Sequence, residues 1–210
     1  MSIHHDDDGG LSPEALERAL SVLRQADRLE TFPRAGYVLS RVPQPESVAA
    51  HSYGVCLASL LLCDAIAARP APPPLDRALV LEMAILHDLS EAVTTDIPAP
   101  VKAFLGKKEV HAAELRAAER LLSPLGGRHL GVLERYEACA CLESRVVHAA
   151  DKLQLMLKVL QYEAAGLGDL RRFWAHPSNQ NDYGLPEARW LQARLRRFHD
   201  ERDWPIGDFE

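Results

Sequence analysis

The chain has 210 residues, 47% of them hydrophobic and 26% charged, enough to bury the core of one large soluble domain. Its net charge of −6 argues against a partner that is a nucleic-acid polymer, whose binder would carry a basic face. A small anionic substrate stays open, because a pocket needs only local positive charge.

The opening MSIHHDDDGG is polar and carries no secretory signal, so residues 1–10 read as a solvated, disordered tail ahead of a domain over 11–210. Cys56, Cys63, Cys139 and Cys141 show neither CxxC nor disulfide-framework spacing, which suits reduced thiols in the cytoplasm. The run LASLLLC is too short to span a bilayer, and no membrane partner is expected.

The first predicted helix is LSPEALERALSVLRQADRLE, with Ser12 as N-cap and Pro13 at the first helical position. TFPRAGYVLSRVPQPES follows as a loop or extended segment, broken by three prolines and a glycine. SVAAHSYGVCLASLLLCDAIAARP is a long apolar helix closed by RPAPPP, and LDRALVLEMAILHDLSEA is the next, capped by Asp76. TTDIPAP reads as a turn because prolines stop a helix. Further helices are predicted over about 107–122, 132–165 (in one or two pieces) and 185–202. Alternating strand patterns are scarce and no Gly-rich phosphate loop appears, so the fold class is all-α, a single helical bundle.

The stretch AILHDLSEAVTTDIP carries an apolar run into His87, Asp88, Glu91 and Asp96, polar groups that a core rejects unless they are paired or bound to metal. His51 lies near the start of one helix and Asp151 within another, VVHAADKLQL. Adjacent helical residues point about 100° apart, yet His87 and Asp88 can flank one point between helices, approached from two others by His51 and Asp151. Two imidazoles and two carboxylates make a mixed nitrogen and oxygen site for one divalent ion. Mn, Co, Mg, Fe, Ni or Zn all suit it. Glu91, four after His87 and three after Asp88, is placed to handle a proton. Asp96 is either a turn cap or a pocket residue. His111, His129 and His148 are read as surface or supporting residues rather than ligands of a second ion.

The order His51, His87-Asp88, Asp151 resembles the HD-domain metal-dependent phosphohydrolases. HDLSEAVTTDIPAPVK is similar to the HDxSExxTxDxPxPVK stretch of the YfbR-like 5′-deoxynucleotidases, and PRAGYVLSRVPQPESVAAHS resembles the segment before the first metal histidine in the HD-domain-containing protein 2 branch. VVHAADKLQLMLKVLQYE matches the later metal-aspartate helix, giving a motif core of about 34–165. The resemblance implies an all-α HD domain with a divalent metal between helices, held by His51, His87, Asp88 and Asp151. It implies removal of the 5′-phosphate of (deoxy)nucleoside monophosphates by metal-activated water, in a homodimer. Glu91 looks like the family's catalytic acid or base, and Asp96 with Ile97, Pro98 and Ala99 like its substrate loop. Arg34 stands where the family places a substrate arginine, although Ala35 follows it where the YfbR branch has Trp; Lys102 is a second candidate for the phosphate. Other HD substrates, namely cyclic nucleotides, alarmones or nucleoside triphosphates, are the alternative, as is a non-catalytic metal-binding scaffold.

Overall fold

Capping chemistry starts the first helix. In the computed structural model, which describes residues 12–202, the Ser12 hydroxyl accepts from the Ala15 amide and α1 runs Pro13–Ala26. The expected N-terminal tail lies outside the described residues. The proline-rich stretch that follows is not all loop: a short helix, α2 (Ala35–Leu39), forms between Pro33 and Pro43. Tertiary burial drives it. Tyr37 is 2% exposed, its ring meets Phe173 and Tyr162 at 5.2 and 5.1 Å, and its hydroxyl donates to the Leu155 carbonyl at 3.1 Å.

Ser47 caps α3 (Val48–Ala67), its hydroxyl accepting from the Ala50 amide. Asp76 caps α4 (Arg77–Leu86) in the same way through the Leu79 amide. The long helix predicted through residue 92 stops at Leu86. Residues 87–90 tighten into turns in which Leu89 N–H donates to Leu86 and Glu91 N–H to Asp88, before a four-residue helix α5 (Glu91–Thr94). Thr95 then takes positive φ (61°) and ends it.

Pro98 and Pro100 do not prevent a helix, because α6 (Ala99–Leu105) uses Pro100 in its first turn, where a missing N–H costs nothing. No residue of α6 is buried. α7 (Lys107–Leu122) matches the expected span. The predicted 132–165 stretch resolves into two helices, α8 (Arg128–Ala138) and α9 (Leu142–Ala164), separated by Cys139 in the left-handed region. α10 (Arg171–Ala175) and α11 (Pro186–Glu201) complete the bundle, the first unforeseen and the second close to its predicted bounds.

α3 and α9 pack along each other as the spine, with α4 against both. Val48, Val55, Leu62 and Ile66 of α3 meet Val80 and Met83 of α4 and Val146, Val147, Ala150 and Leu153 of α9 in one buried cluster. A second cluster, Tyr37, Val42, Met156, Val159, Phe173 and Trp174, lies under α10. Arg69 at the end of α3 makes a two-pronged ion pair with Glu187, at 2.7 and 2.5 Å, that fixes the start of α11. Taken whole, α3 is longer than its LASLLLC run: 20 residues at mean hydropathy 1.4, long and apolar enough by composition to cross a membrane. Among the described residues there is no strand, only an isolated bridge pairing Pro33 with Ser47.

Candidate metal centre

Three helices deliver four side chains to one point. His51 comes from the first turn of α3, His87 and Asp88 from the turn after α4, and Asp151 from the middle of α9. The break after Leu86 is what lets two consecutive residues face one place. His51 Nε2 lies 3.3 Å from Asp151 Oδ1 and 3.6 Å from Asp88 Oδ2; His87 Nε2 lies 3.3 Å from Asp88 Oδ2. One donor atom each from His51, His87 and Asp151 falls within 4.8 Å of the others.

The ring nitrogens carry the argument for a cation. His87 Nδ1 is 2.8 Å from the Ala84 carbonyl, which can only accept, so Nδ1 carries an N–H, and in the neutral ring Nε2 is the bare lone pair. His51 Nδ1 is 2.5 Å from Gln154 Oε1, again an acceptor. Both Nε2 atoms are buried without a hydrogen-bond partner. Lone pairs of two imidazoles therefore face carboxylate oxygens, an arrangement that is repulsive unless a proton or a metal ion lies between them. The donor set fits a divalent metal.

Arg34 stands beside this cluster. Its Nη1 is 3.1 Å from Asp88 Oδ2 and 3.7 Å from Glu91 Oε2, and its Nε is 3.9 Å from Asp96 Oδ2. Burial opposes its charge, but Asp88, Asp96 and Glu91 outweigh that and raise its pKa. Burial would also protonate Asp88, yet His87 and Arg34 hold its carboxyl well below the usual range. Asp151 is likewise lowered, against its burial, by Lys152 (2.8 Å) and His51. Glu91 goes the other way. It is 5% exposed, its Oε2 has no partner, and burial together with Asp88 pushes its pKa up to about 10. In the metal-free site this favours the neutral carboxylic acid at pH 7.

Asp96 spends Oδ2 on the Ala35 amide at 2.7 Å, at the first residue of α2, so it ties the loop before α6 to the arginine's own helix. A cavity of about 720 Å³ opens over the cluster, within the size range of small-molecule sites. Ile97, Pro98 and Ala99, the stretch the resemblance likens to a substrate loop, line it. Lys102 lines it too, but its ammonium is paired with Glu114 at 2.9 Å. His148 reaches the wall, its ring stacked between Tyr136 and Tyr183. His111 also lines the cavity and pairs with Glu137, while His129, outside the lining, pairs with Glu82.

Sequence reasoning missed the far wall, formed by Phe173, Ser178 and Asn179, and two neighbours of the ligands, Lys152 and Gln154. For Gln154 a signal existed: it lies three residues after Asp151, on the same side of a helix that is otherwise apolar there.

An HD-domain family model matches residues 26–183. The chain is 27% identical over 172 residues to the 5′-deoxynucleotidase hdd1 of Schizosaccharomyces pombe, covering 75% of this chain and 82% of that protein. It is 28% identical over 205 residues to the 5′-deoxynucleotidase HDDC2 of Xenopus laevis, covering 95% and 94% of the two chains. Among solved structures it is similar to a conserved hypothetical protein from Pyrococcus furiosus, at a TM-score of 0.73 and 31% identity, covering 85% of this chain and 99% of that one.

Proposed function

The chain belongs to the HD-domain family, and we propose from its site and its relatives that it is a metal-dependent 5′-deoxynucleotidase, releasing inorganic phosphate from deoxynucleoside 5′-monophosphates. The observation that carries this reading is the pair of bare Nε2 atoms aimed at Asp88 and Asp151, on the floor of a cavity that also holds a protonated Glu91 and a buried Arg34.

In this reading His51, His87, Asp88 and Asp151 hold one divalent ion. Such an ion supplies two things when bound: it neutralises phosphate charge and makes a coordinated water more acidic. Arg34 contributes fixed positive charge toward the phosphate, preorganised because three carboxylates already hold it. Glu91 gives its proton to the departing O5′ as water adds to phosphorus, and takes one back from that water. Without that proton the alkoxide would leave as an anion beside Asp88. Asp96 has Oδ1 left to accept from a sugar hydroxyl, with Ile97, Pro98 and Ala99 beside it. A scaffold would have no use for a carboxyl kept neutral by its surroundings, and Glu91 favours the enzyme.

Two further features belong to the proposal. Tyr53, Leu57 and Leu61, at four-residue spacing on α3, are 73%, 47% and 60% exposed, an apolar stripe suited to a second copy of the chain. The free cysteines Cys56, Cys63, Cys139 and Cys141 suit a reducing cytoplasm.

The test is phosphate release from dAMP, dCMP, dGMP and dTMP, their ribose counterparts, a cyclic nucleotide and a deoxynucleoside triphosphate, with Mn²⁺, Co²⁺ or Mg²⁺. Turnover of the deoxynucleoside monophosphates is expected. Hydrolysis confined to triphosphates or cyclic nucleotides would replace the substrate assignment.

A further inference from the structure

The two histidines at the metal centre are fixed by different means. His87 leans on a backbone carbonyl, which cannot change roles. His51 leans on Gln154, whose amide offers an acceptor at one end and donors at the other, and nothing in that contact alone says which end faces the ring. Glu46 decides it. Gln154 Nε2 donates to Glu46 Oε2 at 3.0 Å, and a carboxylate can only accept. The amide's NH₂ end is therefore committed to Glu46, its oxygen turns to His51, and the ring must answer with Nδ1–H.

We propose that Glu46 and Gln154 form a tautomer lock: positioning residues that keep the His51 proton on Nδ1 and its Nε2 lone pair bare toward Asp88 and Asp151. The inference deepens the assignment of His51 as a metal ligand and rests on it.

The surroundings are built for this relay. Glu46 is secured from three sides: its carboxylate lies 3.6 Å from the Lys158 ammonium, its own amide donates to the Tyr162 hydroxyl at 2.8 Å, and its Oε1 is buried 4.0 Å from His51 Nδ1. Asp151, Gln154 and Lys158 follow at three and four residues along α9, so one helix face carries a metal ligand, the relay and its counter-charge in order. Room for the amide comes from α3. A Cβ on Gly54 would stand 2.7 Å from Gln154 Cγ, too close for the side chain to remain where it is.

The chemistry explains why the relay has a neutral middle. A carboxylate placed directly on Nδ1 would make the ring more basic and favour a proton on Nε2, the atom needed for the metal. A glutamine accepts the same hydrogen bond without a full charge. Glu46 then acts one bond further out, orienting rather than protonating.

The test follows the tautomer and the metal separately. Long-range ¹H–¹⁵N spectra of the metal-free protein, recorded at alkaline pH so that the ring is neutral rather than doubly protonated against Asp88 and Asp151, report which ring nitrogen of His51 carries the proton, and Co²⁺ titration with its visible absorption band reports affinity and geometry. Wild type is expected to show a single Nδ1–H form. Gln154→Leu and Glu46→Leu are expected to give a mixture with Nε2–H, and Gln154→Leu to weaken Co²⁺ binding about 10–100-fold. Glu46→Gln, which can still accept from Gln154, is expected to stay within about threefold of wild type. The double variant should bind Co²⁺ about as weakly as Gln154→Leu alone, because Glu46 Oε1, 4.0 Å from the ring, is beyond hydrogen-bond reach and the carboxylate acts on it mainly through Gln154. An unchanged tautomer in Glu46→Leu overturns the lock, and that variant decides the matter alone if Gln154→Leu fails to fold. Wild type that takes up no Co²⁺, yet loses its Nδ1–H form in Glu46→Leu, upholds the lock and overturns the metal assignment instead.

Discussion

Replacing Glu91 by Gln should stabilise the metal-free protein and abolish its turnover. The carboxyl is 5% exposed, and burial with Asp88 nearby raises its pKa from 4.5 to about 10. A carboxyl whose folded pKa is raised keeps its full stability contribution only below the unfolded pKa. Between 4.5 and about 10 the unfolded chain ionises while the folded one does not, so stability is lost as pH climbs. At pH 7.5 the gap above the unfolded value is about three units, and at 1.36 kcal/mol per unit the upper bound is about 4 kcal/mol. Gln is neutral in both states and escapes this loss. For a chain of this size that is roughly 8–16 °C in Tm. The assay is thermal melting of chelator-treated wild type and Glu91→Gln from pH 4.5 to 9. The two curves should meet near pH 4.5 and diverge steadily above it, with the variant higher. Parallel curves would refute the claim that Glu91 is held neutral, and near-native phosphate release by the variant would remove it from the chemistry.

Four other outcomes are expected. His87→Ala should purify with little bound metal by elemental analysis and lose at least about a hundredfold in turnover. Arg34→Ala leaves Asp88, Glu91 and Asp96 without their shared cation; a loss of about 3–5 kcal/mol in a neutral-pH denaturation series should accompany the loss of activity. Lys102→Met separates two roles: a KM raised about tenfold at near-constant kcat means the ammonium leaves Glu114 for substrate phosphate, and unchanged kinetics mean it is a strut between α6 and α7. Leu57→Glu, on the exposed stripe of α3, should shift the sedimentation coefficient from dimer to monomer with Tm and turnover little changed.

Local chemistry announces some elements and hides others. Ser12 and Asp76 marked helix starts because their side chains satisfy amides that a helix leaves bare, and each does so here, as does Ser47 at the start of α3. α2 was hidden because its stability comes from Tyr37 seated against Phe173 and Tyr162, residues more than a hundred positions away. α6 was hidden because a proline was read as a stop when its position made it a start. The break after Leu86 had no local sign at all, since AILHDLSEA is good helix throughout. It appears only once His87 and Asp88 must face one point. That His51, His87, Asp88 and Asp151 would come together was legible through their order along the chain and their resemblance to a family. Gln154 left only its spacing from Asp151 as a trace, because a neutral amide has no titration to perturb, and its meaning depends on Glu46, which a different segment supplies.

Charge gives the site its logic. Asp88, Glu91, Asp96 and Asp151 are four carboxylates, and Arg34 and Lys152 are the two cations that touch them, a shortfall of two positive charges if all are ionised. A divalent ion would close that gap in full. The protein without a metal closes part of it by favouring the Glu91 proton, at this carboxyl rather than at Asp88: Asp88 has two imidazoles and Arg34 within 3.6 Å, while Glu91 meets the same Arg34 Nη1 only at 3.7 Å. A bound cation and a proton on Glu91 are thus alternative answers to one electrostatic demand. In the proposed reaction an incoming phosphate dianion would shift the balance back, adding negative charge that favours keeping the proton until O5′ departs. In the proposed reading, metal, substrate and proton are coupled through a single buried carboxyl, and the chain that holds it there, Arg34 to Asp96 to Ala35, is as much part of the arrangement as the four expected ligands.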